Sequence, residues 1–594
     1  MKRTSSIQSP AALFGAGLAV YAVMAALGWY KLRFGFNFID EGMYMADSWR
    51  LAMGDRLFPD SAPSVARMYV LFNALIFKLW PEITLLGFRQ LQFALSLLTA
   101  LGLSLAVYRW TRAYWYLPWM LSVLAFTGLD PVGKESNLSY YAYASLSVTW
   151  FVILLLFALR CAHRWGRRAL LAGAGAALWG LGIAMLPLGA ASVACPVALW
   201  LAWRRLATHP ERFTLADLIW ILAPVAVGWA GLIALNHPQL LDSVRVVAGY
   251  FEEGGKTDNG LNLPALEFIG VVALLVGGMV AALRRPGRRG LALAAAVAGL
   301  LFWVVDTNLF GALAGYWHGW FDAPMWFSAL LTVAMLGVAV QAAGAMAAGR
   351  RWDDDRLLLL VLLLPAGVVT ALLAYFSQMG MLAPSYVALP AAVGTGLLFL
   401  RAVPGAARGV QAGALVALLL PFHYQLAWAD WRFTYFDFVP HKLVRTVDGG
   451  FADGIRTNPL YADLIDWMGD RAARLSTPEE RVIALNTAPM VHMVTHRLPA
   501  LNHTWLGMAR SMSLRQDAVA LMAEQGREPR LAFVFLWPPV FYPISLKEGT
   551  AGIGPPLQYT RLDPVFDHVV RTMRPVDVFR FKGTEWVVLY RRPD

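Results

Sequence analysis

The sequence predicts a polytopic α-helical membrane protein of about thirteen transmembrane helices, closed by a small α/β domain. Three observations predict it. The chain is 58% hydrophobic and only 15% charged over 594 residues, with a mean hydropathy of +0.53, which is too apolar for a soluble protein of this length. Its basic residues sit in short loops between apolar runs, where charges fix topology. After Trp428 the texture becomes that of a soluble domain, with short β-rich runs alternating with helical patterns. The net charge of +12 therefore speaks for orientation in a bilayer and against nucleic acid as the partner. Cys161 and Cys195 lie in or beside apolar spans and give an exported domain no disulfide framework.

Taken in order, Met1-Lys2-Arg3 and the long apolar run Ala11–Tyr30 read as a retained first span, because no small-residue cleavage site clearly follows. Further spans fall at 84–108, 114–129, 143–160, 169–187, 189–203, 215–235, 265–283, 291–308, 324–347, 357–376, 386–403 and 409–427. Arg109/Arg112, Arg160/Arg164/Arg167/Arg168, Arg204/Arg205/Arg212, Arg284/Arg285/Arg288/Arg289, Arg350/Arg351/Arg356 and Arg401/Arg408 share one side with Lys2 and Arg3. That side is cytoplasmic. The opposite loops, 31–83, 130–142, 236–264, 306–323 and 377–385, are longer and richer in acids, Trp and Tyr. An odd number of spans exports the tail, giving a membrane module 1–427 and an extracytoplasmic α/β domain 428–594. Ala66–Trp80, with Arg67 and Lys78 near its ends, is too short to cross and fits an interfacial helix.

In the tail, strands are expected at Val482–Leu485, Leu531–Trp537, Val576–Phe581 and Trp586–Tyr590, and helices at Tyr461–Leu475 and Ser513–Gln525. Phe579–Tyr590 reads as a hairpin turning at Lys582-Gly583-Thr584. His492 and His496 stand at i, i+4. They either share a metal or, with no acid or cysteine placed beside them, serve the structure.

The stretch that carries chemistry is Phe36–Asp55, a few residues beyond the first span. Asp40 and Glu41 are adjacent carboxylates opening an amphipathic helical pattern. Met45/Ala46, Trp49 and Ala52/Met53 form its apolar stripe, while Asp40, Tyr44 and Asp47 share another face. Gly54 reads as its stop. Two carboxylates on a helix lying flat at a bilayer surface suit chemistry on a lipid head group. The plain alternative is that Asp40 only caps the helix.

This loop resembles that of the GT-C superfamily of membrane glycosyltransferases, and within it the branch of the protein O-mannosyltransferases and the lipid A aminoarabinose transferase. The residues that carry the likeness are Asp40-Glu41-Gly42-x-Tyr44, Ala46 and Ala52-x-Gly54-Asp55, followed by Tyr69–Trp80, Gly87-Phe88-Arg89 and Ala383-Pro384-Ser385-Tyr386-x-x-Leu389-Pro390. Ser385 departs from the commoner basic residue. Ser64-Val65-Ala66 stands where the family often has a lysine and prolines, with Arg67 the nearest cation.

What the resemblance implies is transfer of a sugar from a polyprenyl-phosphate donor to a glycan, lipid or protein acceptor outside the cytoplasm, in the inner membrane of a bacterium. Such a donor diffuses in the bilayer and needs no nucleotide-binding domain. The chain shows neither a G-x-G-x-x-G at a strand–helix turn nor a P-loop. The chemistry needs a base for the acceptor's proton and cations for the leaving phosphate. Asp40 is the candidate base, and Glu41 orients it or the acceptor. Arg67, Lys134, Arg245 and Lys256 are candidate phosphate ligands, with Tyr44, Tyr386 and His318 beside them; the plain reading of each cation is interfacial snorkelling. Asp130 and Glu135 are candidate ligands for a divalent cation, which some family members use and others do not. Tyr140, Tyr141 and Tyr143 read equally as interfacial belt or sugar platform. Two other classes stand beside this one. A membrane polysaccharide polymerase or ligase would put its residues in one large later outer loop, and a secondary transporter would put ionisable residues mid-span.

Overall fold

The computed structural model describes residues 10–55, 68–112, 114–121, 138–184, 188–252, 343–363, 366, 437, 440–485, 488–502, 504, 512–537 and 561–594. Helix α1 (Pro10–Lys31) leads into the first loop, which carries α2 (Asp40–Ala52) and α3 (Tyr69–Leu79). The helices continue with α4 (Leu85–Thr111), α5 (Tyr140–Leu159), α6 (Arg164–Ala184), α7 (Gly189–Leu206) and α8 (Leu215–Glu252). Among the described residues four helices are long and apolar enough to cross a membrane: α1, α4, α5 and Pro210–Gly231, which runs into α8. Helix α3, at eleven residues, is about half a crossing long, as an interfacial helix should be. The spans read at 265–283, 291–308, 386–403 and 409–427 lie outside the described residues, as do most of 324–347, of 357–376 and part of 114–129.

One boundary differs. The span expected to end at 235 continues without a break to Glu252, so the residues 236–252, read as the start of an outer loop, are helical. Pro238 lies inside this helix, where a proline costs one hydrogen bond and need not end it.

Small residues set how closely these helices pack. A Cβ at Gly175 of α6 would lie 2.9 Å from the carbonyl carbon of Ile221 in α8, nearer still to its oxygen, and one at Gly182 would run into the Trp229 ring. Backbone-to-side-chain approaches of this kind are how helices associate when lipid removes the hydrophobic drive. Caps fix the starts: the Thr84 hydroxyl accepts from Gly87 N at 3.1 Å ahead of α4, and Ser139 accepts from Ala142 N at 3.4 Å ahead of α5.

The C-terminal region opens with a short ribbon of β1 (Arg445–Thr446) and β2 (Arg456–Thr457), followed by α9 (Pro459–Leu475), which Asn458 caps ahead of a proline at its first position. Then come β3 (Arg481–Leu485), α10 (Met490–Thr495), α11 (Met512–Glu524), β4 (Pro529–Phe535), α12 (Pro564–Thr572), β5 (Arg574–Phe581) and β6 (Thr584–Arg591). The sheet order is β3-β4-β6-β5, with β3 and β4 parallel and the other pairs antiparallel. All four expected strands are present. The parallel pair β3 and β4 reads as near-continuous apolar runs because α-helices cover both faces. The hairpin turns at Lys582 (φ 48°) and Gly583 (φ 80°), the two left-handed positions that a tight primed turn requires.

Candidate active site

The two carboxylates stand where the chain turns from α1 into α2. Gly35 takes φ 90°, and the Asn37 side chain accepts from Ile39 N at 2.8 Å, so the backbone folds back sharply before the helix. Asp40 is the first helical residue; the N-cap position belongs to Ile39, whose side chain makes no capping bond. The Asp40 side chain lies outside the described residues. The helix ends as Gly54 leads one to expect. Gly54 (φ 87°) donates to Leu51 O at 3.2 Å and Asp55 N donates to Arg50 O at 3.0 Å, the two bonds of a Schellman stop.

Glu41 is fully buried, and its carboxylate is gripped by Arg89 of α4. The Arg89 Nε donates to Oε1 at 2.9 Å and its Nη2 to Oε2 at 2.6 Å, a bidentate fork. The same guanidinium donates from Nη1 to Leu32 O at 2.8 Å and from Nη2 to Gly35 O at 3.0 Å. One side chain therefore joins the end of α1, the turn and the start of α2. Arg89 was not among the expected site residues. Its signal was there, however: an arginine in the first turn of a 27-residue apolar helix requires a partner.

An aromatic wall backs this corner. The Tyr44 ring meets Tyr140 edge-on at 5.6 Å, Tyr69 stacks with Tyr143 at 6.0 Å, and Tyr140 packs on Tyr141 at 4.2 Å. The Tyr143 hydroxyl donates to Asn73 Oδ1 at 3.0 Å, and Asn73 Nδ2 donates to Leu138 O at 2.8 Å, tying α3 to the start of α5. Tyr140 is buried against Tyr44 of α2 and Tyr69 of α3, and Tyr141 is buried beside it, instead of facing lipid as a belt would.

Helix α2 does not lie flat on an open bilayer surface, as its single apolar stripe suggested. Its polar residues are covered too, because the C-terminal region sits on them. Asp47, Ser48 and Arg50 are buried along with Met45, Ala46 and Trp49. The Thr504 hydroxyl donates to Asp47 at 3.1 Å, Arg50 donates to Asn502 O at 2.7 Å, and Trp49 meets the His496 ring at 5.5 Å. Buried charges are tolerated when they are hydrogen-bonded and paired, as Asp47 and Arg50 are.

Two titratable groups on this seam make its docking sensitive to acid. Burial alone would raise the Asp55 carboxyl, but hydrogen bonding from Arg527 and the charges of Arg527, Arg481 and Arg50 hold it below its ordinary value. Burial, and then the nearby Arg50 charge, push His492 down to about 3. Both folded values lie below the unfolded ones, so each contribution is complete above the unfolded value and is lost as pH falls. For His492 the loss begins near pH ~6.5, for Asp55 near ~4. The melting temperature of the detergent-solubilised protein should therefore fall between pH 7 and 4. In His492→Leu that slope should be shallower by about one proton's worth; an equal slope in both proteins would refute the assignment.

Of the other expected site residues, Arg67, Asp130, Lys134, Glu135, Lys256, His318 and Tyr386 lie outside the described residues, and so does the side chain of Arg245, which falls within α8. The His492–His496 pair is split: α10 ends at Thr495, and His496 takes a left-handed conformation (φ 53°). Among the described residues no three His, Cys, Asp or Glu side chains gather as metal ligands would.

No protein-family model and no curated protein matches the sequence. Among solved structures the chain is similar to the oligosaccharyltransferase AglB of Archaeoglobus fulgidus in complex with an inhibitory peptide and a dolichol-phosphate. That likeness is 13% identity over 88% of this chain and 69% of that one, with a TM-score of 0.44. It is likewise similar to ArnT of Cupriavidus metallidurans bound to undecaprenyl phosphate, at 15% identity over 97% of this chain and 98% of that one, with a TM-score of 0.42.

Proposed function

We propose that this chain is a GT-C-type glycosyltransferase that moves a sugar from a polyprenyl-phosphate donor to an acceptor on the outer face of a bacterial inner membrane. The observation that carries the reading is the corner at the start of α2. There an aspartate opens the helix, and the glutamate beside it is locked by a buried arginine in the loop between two membrane-length helices. A catalytic base needs a rigid support and a neighbour whose charge is already satisfied. The first-loop pattern Asp40-Glu41-Gly42-x-Tyr44 supports the same reading.

In the proposed reaction the acceptor hydroxyl attacks the anomeric carbon. Its proton passes to Asp40, the bond from that carbon to the phosphate oxygen breaks, and polyprenyl phosphate leaves with the electron pair. Glu41 positions the turn that carries Asp40. Arg67, Lys134, Arg245 and Lys256 are the proposed cations for the leaving phosphate, with Tyr386 and His318 as further donors and Tyr44 lining the sugar side. Asp130 and Glu135 are the proposed ligands should a divalent cation take part. The segment 428–594 is proposed to form the extracytoplasmic domain above this loop.

The test supplies membranes holding the protein with radiolabelled polyprenyl-phosphate sugars or, separately, with nucleotide sugars. Label should leave only the lipid donor, with one polyprenyl phosphate released per sugar moved. Consumption of nucleotide sugar with the lipid-linked sugars left intact would overturn the reading. Repeating the assay after chelation, and again with Asp130→Asn, reads the metal proposal directly.

A further inference from the structure

The entry and the exit of α2 are both held by residues about four hundred or more positions away. At the entry, Phe36 N donates to the buried Asp437 carboxylate at 3.2 Å, and Asp437 also accepts from the Thr457 hydroxyl and from Asn458 Nδ2 at 2.7 Å. At the exit, Arg527 forks onto Asp55 at 2.8 and 2.9 Å, and Arg481 adds a contact at 3.3 Å. Between them, Met490 N donates to Phe38 O at 3.1 Å. A Cβ at Gly42 would lie 2.9 Å from Met490 Cα and nearer still to its nitrogen, so only glycine lets the two backbones meet.

We infer that the C-terminal region is a positioning part of the active site, with Asp437 and Arg527 the positioning residues that fix the place of Asp40 and Glu41. This deepens the glycosyltransferase reading and rests on it. The geometry supports it in a specific way. The first turn of α2 is gripped by Arg89 of α4 through Glu41 and by the Met490 backbone against Gly42, while the helix is anchored at its far end through Asp55. A soluble domain attached only for stability has no need to hydrogen-bond the backbone just ahead of two acids and to pair the carboxylate at the far end of their helix. A base displaced by about 1 Å loses on the order of a hundredfold in rate, so holding it from both sides serves the chemistry.

The test uses the full chain in lipid nanodiscs and compares wild type with Asp437→Ala, Arg527→Met and Arg527→Lys. Hydrogen exchange of the peptide 34–55 should quicken about tenfold or more in the first two, while peptides of α4 stay protected. For a polyprenyl-phosphate sugar donor, kcat should fall about ten- to a hundredfold with KM nearly unchanged. Arg527→Lys, which keeps the charge and loses the fork, should recover part of both. Unaltered exchange in 34–55, or freed exchange with wild-type kcat, would overturn the inference. Should Arg527→Met not accumulate, Asp437→Asn carries the same test, because an amide cannot accept from all three donors. A wild-type protein that moves no sugar would end the glycosyltransferase reading, and the exchange arm would still decide whether the clasp exists.

Discussion

An Arg89→Met protein should lose about 3–5 kcal/mol of stability, the usual cost of leaving one half of a buried ion pair without the other. The reason is in the geometry. Arg89 and Glu41 are both wholly buried, and methionine would leave the Glu41 carboxylate, Leu32 O and Gly35 O without the donors they now use. Lysine keeps the charge but supplies one ammonium in place of a fork, so Arg89→Lys should lie between wild type and Arg89→Met. The double variant Arg89→Met/Glu41→Gln separates stability from chemistry. Removing the orphaned charge should restore most of the stability, since replacing a whole buried pair is often close to neutral. It should not restore sugar transfer, because the turn that carries Asp40 stays unclamped. Denaturation of the purified proteins in detergent, beside transfer rates on the same preparations, checks both halves. Arg89→Met melting at the wild-type temperature would refute the clamp.

How far the sequence could be read follows from how local each signal was. The apolar runs behind α1, α4 and α5 and the Lys582-Gly583 turn announce themselves within a few residues, and the structure has them in place. The pattern of α2 was equally local, but its meaning was not. Asp47 shares a face with Asp40 and Tyr44 in the sequence pattern, but Thr504, more than four hundred residues on, closes over it, and Asn502 does the same to Arg50. Nothing in the spacing near Asp40 points to Asp437 or Arg527, because a contact made across the whole chain leaves no periodicity in either segment. Arg89 fell between these cases. Its burial followed from its place in an apolar helix, but its partner needed three-dimensional information. For His492 and His496 the spacing left two readings open, and the backbone separates the pair: i, i+4 spacing aligns two side chains only while the helix continues, and this one stops at Thr495.

Asp40→Asn should leave a stable protein that has lost about a hundred- to ten-thousandfold in sugar transfer, the usual contribution of a positioned general base. The substitution keeps the side chain's size and one carbonyl oxygen, and it falls at the first helical position, since the cap belongs to Ile39. If Asp40 served only the helix, its negative charge near the positive end of the helix dipole would be worth about 0.3–1 kcal/mol. The variant would then melt about a degree or less lower and turn over as wild type. The catalytic reading forecasts the opposite pattern: an unchanged melting temperature, retained donor binding and a collapsed kcat, because the lost interaction acts in the transition state. Glu41→Gln should differ in kind. It breaks the Arg89 fork, so its stability should fall together with its rate, whereas Asp40→Asn should lower the rate alone. Melting curves, binding of undecaprenyl phosphate read by tryptophan fluorescence, and single-turnover transfer on both variants distinguish the two acids. An Asp40→Asn protein transferring sugar at near the wild-type rate would remove Asp40 as the base and send the search to the acids of the outer loop, Asp130 and Glu135.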